Sequence, residues 1–251
     1  MPDIESLITR PLLELASVSS RAFFLYFLTY IVIAYALFRR RSVTGSFLNY
    51  LFPRDIYASK LFLVDALYFF FVTAFAYALA AWLGGLMPAM RAPFHAASPA
   101  EYIAISLLSL VVFDFVMFVT HYAQHKIPSL WKFHSMHHAP DRLHFMVAFR
   151  HHPVDMVLVT IVMTLVFAAV PQPETNIFIV AFYFAGYHFR HSHIPLDYPA
   201  WLKLLLISPS DHQAHHDKTR AARNFGFIFS FWDRLAGTYA GTETEEYEEA
   251  A

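Results

Sequence analysis

Apolar residues fall in five nearly unbroken runs, at roughly 22–38 ("AFFLYFLTYIVIAYALF"), 61–83, 102–120, 154–170 and 175–189. A helix needs about 20 apolar residues to cross a bilayer, with a lower limit near 17. The second and third runs meet this, the first and fourth meet it at the margin, and the fifth is short. It ends in His188, which predicts that it stops at the interface. "VPQPET" at 170–175 predicts a tight turn joining the last two runs as a hairpin. "WLKLLLI" (201–207) reads as a helix lying in the interface, and "TETEEYEEAA" as an acidic, disordered tail.

Composition agrees with a membrane path. Hydrophobic residues make up 57% of the 251 positions and charged residues 15%, beyond the balance of an ordinary soluble domain. A net charge of −1 argues against a nucleic-acid partner. The N-terminal segment has early acids and no basic stretch leading into an apolar core, so it is not a signal peptide. Lys and Arg set the orientation. Arg39, Arg40, Arg41, Arg54 and Lys60 lie between the first two runs, and only Arg91 between the second and third. Five alternating spans then place the N-terminus outside and residues 39–60, 121–153 and 190–251 in the cytoplasm. Arg10, Arg21 and Arg91 are the only basic residues on the outer side of that arrangement.

The same arrangement puts every clustered histidine on one side. There are four clusters: His121 and His125 in "HYAQH"; His134, His137 and His138 in "HSMHH"; His188, His191 and His193 in "HFRHSH"; His212, His215 and His216 in "HQAHH". On a helix, positions three and four apart share a face, so each of the first, second and fourth clusters aims its imidazoles one way. The chain has no cysteine, so a metal site must rest on His, Asp and Glu. Imidazole suits iron, zinc, copper and nickel. A single zinc takes three or four ligands, fewer than these clusters offer; two metals would use them. At the third cluster His191 is the first choice, His188 an added one and His193 the last. His95 and His144 read as ordinary surface or core residues. Asp114, Asp211, Asp217 and His152 are the candidates to accept the far ring N–H of a ligand, the usual arrangement around a bound metal. There is no H-E-x-x-H, G-x-S-x-G or Walker sequence, which removes zincin proteolysis, serine hydrolysis and nucleotide hydrolysis.

From Asp114 to Tyr239 the chain resembles the fatty acid hydroxylase superfamily, which includes sterol desaturases and C-4 methylsterol oxidases. The resemblance rests on "DFVMFVTHYAQH", "LWKFHSMHH", "RHHPVD", "FRHSHIPL" and "SPSDHQAHHDKTRAARNFGFIFSFWDRLAGTY", in that order. It implies a paired non-haem iron site, consumption of O2 and electrons, and attack on an unactivated C–H bond of a lipid. Carried over by position, its ligands are His121, His125, His134, His137, His138, His191, His212, His215 and His216, with His188 as a further one; zinc is a possible occupant on purification. His193 stands where relatives often have Asn, and Asp155 where Glu is common. No cytochrome b5 segment occurs in these residues, so electrons are expected from a separate cytochrome b5- or ferredoxin-like carrier. An apolar channel from the bilayer to the metals is expected, with Phe113, Phe115, Met117, Phe118, Phe145, Phe182 and Phe184 as candidate lining.

The expected fold is an all-α integral membrane protein with four to five transmembrane helices and a cytoplasmic helical cap carrying a histidine-rich di-metal site. Residues 1–100 would form an N-terminal transmembrane region, 101–240 the catalytic domain and 241–251 the tail. The substrate is a membrane lipid: sterol, hopanoid, carotenoid, ether lipid or fatty acyl chain, hydroxylated or desaturated. The competing readings are a desaturase or alkane hydroxylase of a separate histidine-box family, and a non-catalytic membrane metal-binding protein.

Overall fold

A computed structural model describes residues 27–85, 96–170, 186–218 and 223–242. Within them the chain is helical, and the one β-type pairing is an isolated antiparallel bridge between Leu206 and Phe229. The helices are α1 (27–40), α2 (Phe47–Leu51), α3 (Arg54–Tyr57), α4 (Lys60–Gly85), α5 (Pro99–Lys126), α6 (Pro128–His134), α7 (Pro153–Ala169), α8 (Gly186–Arg190), α9 (Ala200–Lys203), α10 (Pro209–His216) and α11 (Phe231–Ala236), with a 3-10 turn at Phe145–Phe149 before α7.

Two described helices, α4 and α5, are long and apolar enough to cross a membrane; α7, with 17 residues, is shorter. The turn at 171–175, most of the fifth apolar run, the N-terminal 26 residues, Arg91, His95, Phe182, Phe184 and the acidic tail from 243 lie outside the described residues. The interfacial helix expected over 201–207 is a single turn, α9. Beyond it the chain extends so that Leu206 can pair with Phe229. Trp201, Leu204 and Leu205 nevertheless remain exposed.

Local chemistry sets the helix ends that matter. Ser98 caps α5 by accepting from Glu101 N at 3.2 Å, and Pro99 takes the first turn, where a missing N–H costs nothing. At the other end Ile127 precedes Pro128, which disfavours helical backbone before it and breaks α5 from α6. His121 and His125 therefore occupy the last turns of α5, and His134 ends α6 just beyond the break. Helix α7 starts at Pro153, its N-cap being His152.

The long helices pack α4 on α7 and α5 on α7. Leu110, Phe113 and Met117 of α5 meet Val166 of α7 and Ile228 in a buried core, with Phe113 stacked on Phe167 at 5.3 Å between centroids. A second core joins Tyr30 and Ala34 of α1 to Leu51 and Ile194. The outer face of α4 leaves Leu61, Leu67, Phe70 and Phe71 exposed; water penalises a belt of that kind, and hydrocarbon does not.

Candidate metal centre

The C-terminal end of α5, α6 with the turn after it, the segment following α8, and α10 converge at one end of the helix pair. They bring together two sets of four histidines. His121, His125, His134 and His138 each place one ring nitrogen within 4.8 Å of the others, and so do His137, His191, His212 and His216. The sets touch: His138 stacks on His216 at 4.3 Å. His215 adjoins the first set, its centroid 4.6 Å from both His121 and His125 and 4.7 Å from His138. Its ring is fully buried, as is that of His191. His188 is in neither set; it stacks on Phe149 at 4.6 Å. His193 turns away, with Nε2 on the Tyr50 carbonyl at 2.9 Å. His144 faces Asp65 at 3.2 Å.

The rings suit a cation. His121 Nδ1 lies 2.8 Å from the Phe225 carbonyl and His215 Nδ1 2.7 Å from that of Arg223. A carbonyl only accepts, so both Nδ1 atoms carry the hydrogen and both Nε2 atoms of the neutral rings keep a lone pair. Those lone pairs face each other at 3.1 Å. Nothing in the neutral pair attracts them, whereas an electrophile beside them would. His191 has the same polarity: Nδ1 donates to the Tyr187 carbonyl at 2.7 Å, and Nε2 lies 3.1 Å from His137 Nε2 and 3.0 Å from His212 Nε2. His125 Nε2, His134 Nε2 and both nitrogens of His138 and His216 are buried with no hydrogen-bond partner among the described residues. Buried polar atoms left so are rare in proteins.

Burial, then the neighbouring imidazoles, holds His137, His138, His212 and His216 well below the ordinary histidine pKa. Burial does the same to His191, and it lowers His215 to about 3. These rings are neutral near pH 7, the form that binds metal.

Asp114 and Asp211 are engaged elsewhere than at an imidazole. Asp114 reaches no imidazole. It accepts from the backbone N–H of Ile228 (2.8 Å) and Phe229 (3.1 Å) and from Trp232 Nε1 (3.0 Å). Asp211 forms a reciprocal cap with Ser208 at the start of α10 and pairs with Lys203 at 3.0 Å. Asp217 ends α10 in an exposed position. His152 Nδ1 accepts from Val154 N at 3.2 Å as a helix cap. The acid on the rings is Asp155, which is nearly fully buried. Its Oδ2 accepts from His134 Nδ1 at 3.3 Å and His151 Nδ1 at 2.9 Å, and its Oδ1 accepts from Gln124. Asp155 stood out in the sequence only as a departure from a more common Glu; Gln124 had no signal beyond lying one position from His125.

Two openings meet the rings. A cavity of about 310 Å³ runs from Val72, Ala76 and Ala80 of α4 and Phe167 of α7 to His121, His134, His137 and His212. Of the expected lining residues that are described, Met117 alone faces it. Phe113 and Phe118 are packed in the interior, Phe115 lies against Trp232, and Phe145 against Tyr57 and Phe62. A separate polar cleft of about 510 Å³, with Arg142, Gln213 and Lys218 in its wall, reaches His216.

The family model for fatty acid hydroxylases matches residues 106–238, more than half of the chain. Among curated proteins, an ornithine lipid hydroxylase of Rhizobium tropici is 29% identical over 53% of this chain and 41% of its own length. An alkylglycerol monooxygenase of Caenorhabditis elegans is 27% identical over 54% and 26%, and a fatty acid hydroxylase of a Lecanicillium species 24% identical over 52% and 40%. The chain thus spans less than half the length of these relatives. No solved structure matches it.

Proposed function

The chain belongs to the fatty acid hydroxylase family, and from that premise we propose that it is a multi-pass membrane oxidoreductase that hydroxylates a C–H bond of a lipid chain. The balance is one C–H bond, O2, two electrons and two protons giving one C–OH bond and one water. A separate electron-transfer protein of the cytochrome b5 or ferredoxin kind supplies the electrons. A single observation carries the reading: two four-histidine sets, with their unpartnered nitrogens, close the inner end of an apolar cavity. The three relatives are named as hydroxylases or a monooxygenase, which favours hydroxylation over desaturation.

His121, His125, His134 and His138 would hold one iron, with His215 beside them, and His137, His191, His212 and His216 the other. Bound iron supplies the activation of O2 and the oxidising power that cleavage of an aliphatic C–H requires. The chain's own groups do the rest. The Phe225, Arg223 and Tyr187 carbonyls and Asp155 hold hydrogen on Nδ1, which leaves Nε2 available. Val72, Met163 and Phe167 keep water from the reacting carbon, while the cleft at His216 admits protons and releases water. His188, beside Phe149 on the cavity wall, faces the substrate in this reading.

Purified protein should carry about two metal ions per chain, iron or the zinc that imidazole sites also favour. Lipids from cells expressing it should gain a hydroxylated species. His138→Ala should abolish that species and lower the metal content while the protein still inserts. A fully active His138→Ala protein would refute the ligand set. Two metals with no change in any lipid would leave a metal-binding protein and sink the oxygenase.

A further inference from the structure

The cavity at the histidines has a neighbour. A groove of about 520 Å³ that presents only apolar atoms lies between α4 and α7, lined by Val64, Leu67, Phe71, Phe75 and Pro153, all exposed, together with Tyr68. The groove and the cavity share three lining residues, Val72, His151 and Met156. All three are buried, so they form the partition between the bilayer side and the metal side. His151 is anchored by Asp155 and by the Ala148 carbonyl at 3.1 Å. The other two are not anchored so firmly. Among the described residues the Met156 side chain has one polar tie, a weak one, the Thr160 hydroxyl donating to its sulfur at 3.6 Å. Met is unbranched and has three rotatable bonds, so it swings aside at little cost.

We propose that Val72 and Met156 form a lateral gate through which one extended acyl or alkyl chain passes from the bilayer, between α4 and α7, to the histidines. This rests on the hydroxylase reading and narrows its substrate. The occupant follows from three features: the groove presents only apolar atoms, its rim lies on the membrane-length helix α4, and it continues into the cavity through a partition in which Met156 is the side chain free to swing. The partition sets the shape of the guest. An extended chain can pass between Val72 and Met156 one methylene at a time, which a rigid fused-ring lipid cannot do. Val72 and Met156 are therefore specificity-determining residues.

Photolabelling tests the gate without needing turnover. Membranes containing the full chain are irradiated with a phosphatidylcholine bearing a diazirine at the end of one acyl chain, and in parallel with a diazirine cholesterol. Labelling is then mapped to peptides. The acyl probe should mark the cavity residues Met117 and Phe167 as well as exposed Phe70, and the sterol probe Phe70 alone. Val72→Trp should lower cavity labelling by roughly tenfold, the order of effect expected when a tight site is overfilled, with Phe70 labelling unchanged. Val72→Ala should raise it, which separates a gate from a folding defect. Equal cavity labelling in the Trp, Ala and parent proteins, or entry of the sterol, would overturn the proposal. Cavity labelling that responds to Val72 in a protein that modifies no lipid would leave the gate standing and remove the hydroxylase reading. Hydroxylation indifferent to Val72→Trp would remove the gate alone.

Discussion

Asp155→Ala is the substitution that most directly tests how the rings are held. The carboxylate is almost fully buried and accepts from three donors, Gln124, His134 and His151. Removing it orphans these N–H groups, at about 1–3 kcal/mol for each that finds no substitute. His134 has an escape, which is to move its hydrogen to Nε2. That nitrogen is the one grouped with His121, His125 and His138, so the escape removes a ligand. Loss of a partner behind a ligating imidazole costs about 10–100-fold in metal affinity, or roughly 1.4–2.7 kcal/mol. The second set is touched only at His137, by the His151 ring stacked on it at 4.9 Å and by the His134 ring 5.3 Å away, so most of the loss should fall on one metal of the two. Asp155→Asn should be milder: if Gln124 turns its amide, the Asn oxygen still serves both imidazoles and only the charge is gone. The assay is metal per chain before and after timed exposure to a chelator, with circular dichroism as a check on helicity. The expected order of retention is Asp, then Asn, then Ala, with Ala approaching one metal. Retention by the Ala protein equal to that of the parent would refute the reasoning.

Acid should release the metals. His215 is lowered to about 3 and His137, His138, His191, His212 and His216 lie well below 6.5, so below about pH 6.5 the unfolded chain binds protons that the folded one refuses. Stability is therefore full above pH 7 and falls as pH drops below 6.5; a melting temperature flat from pH 7.5 to 5 would contradict this. Gly226→Ala should lower the melting temperature and weaken metal retention, because a Cβ there would sit 2.7 Å from the Phe229 carbonyl oxygen and 2.9 Å from Asp233 Oδ2, a crowding worth about 1–3 kcal/mol. Metal analysis should find His193→Ala at parental content and His191→Ala short by at least part of one metal, since His193 points to Tyr50 and His191 into the second set; the reverse result would mean the third cluster has been misread.

What the sequence makes legible is whatever short spacing controls. His121 with His125, and His212 with His216, sit one helical turn apart, and that alone aims each pair. Apolar runs of helix length announce α4 and α5. Contacts that span the chain leave no such trace. Asp114 lies seven residues before His121 on the same helix, which reads as a partner for that ring. In the fold its oxygens instead meet backbone more than a hundred positions away, at Ile228 and Phe229. Backbone N–H groups carry no sequence label, so this role could not be read. The cavity lining fails for a similar reason. Phenylalanines were the natural candidates, but which face of α5 meets α7 depends on packing, and Phe113 spends itself on Phe167. Much of the actual wall is small or aliphatic: Val72, Ala76, Ala80, Val159.

The placement of the acids has a common logic. Asp233 accepts from the N–H of Phe225 at 2.8 Å and Gly226 at 2.6 Å, and Asp114 from those of Ile228 and Phe229. Asn224, held at φ 56°, donates to the Asp211 and Gly241 carbonyls at 3.1 and 2.8 Å. Together they pin residues 224–229 from the N–H side. What remains on the other side of that segment is the Phe225 carbonyl, and the Arg223 carbonyl just before it, which are the acceptors for His121 and His215. The acids thus act on the imidazoles through a rigid stretch of backbone, which fixes hydrogen on Nδ1 without placing a charge beside the ring. Asp155 behind His134 is the exception. A carboxylate partner makes an imidazole a stronger donor than a carbonyl does, so the His134 set is built to stabilise more positive charge than the set of His191, whose partner is the Tyr187 carbonyl. On the proposed assignment the two sets would hold their metals unequally, the carboxylate-backed one more firmly.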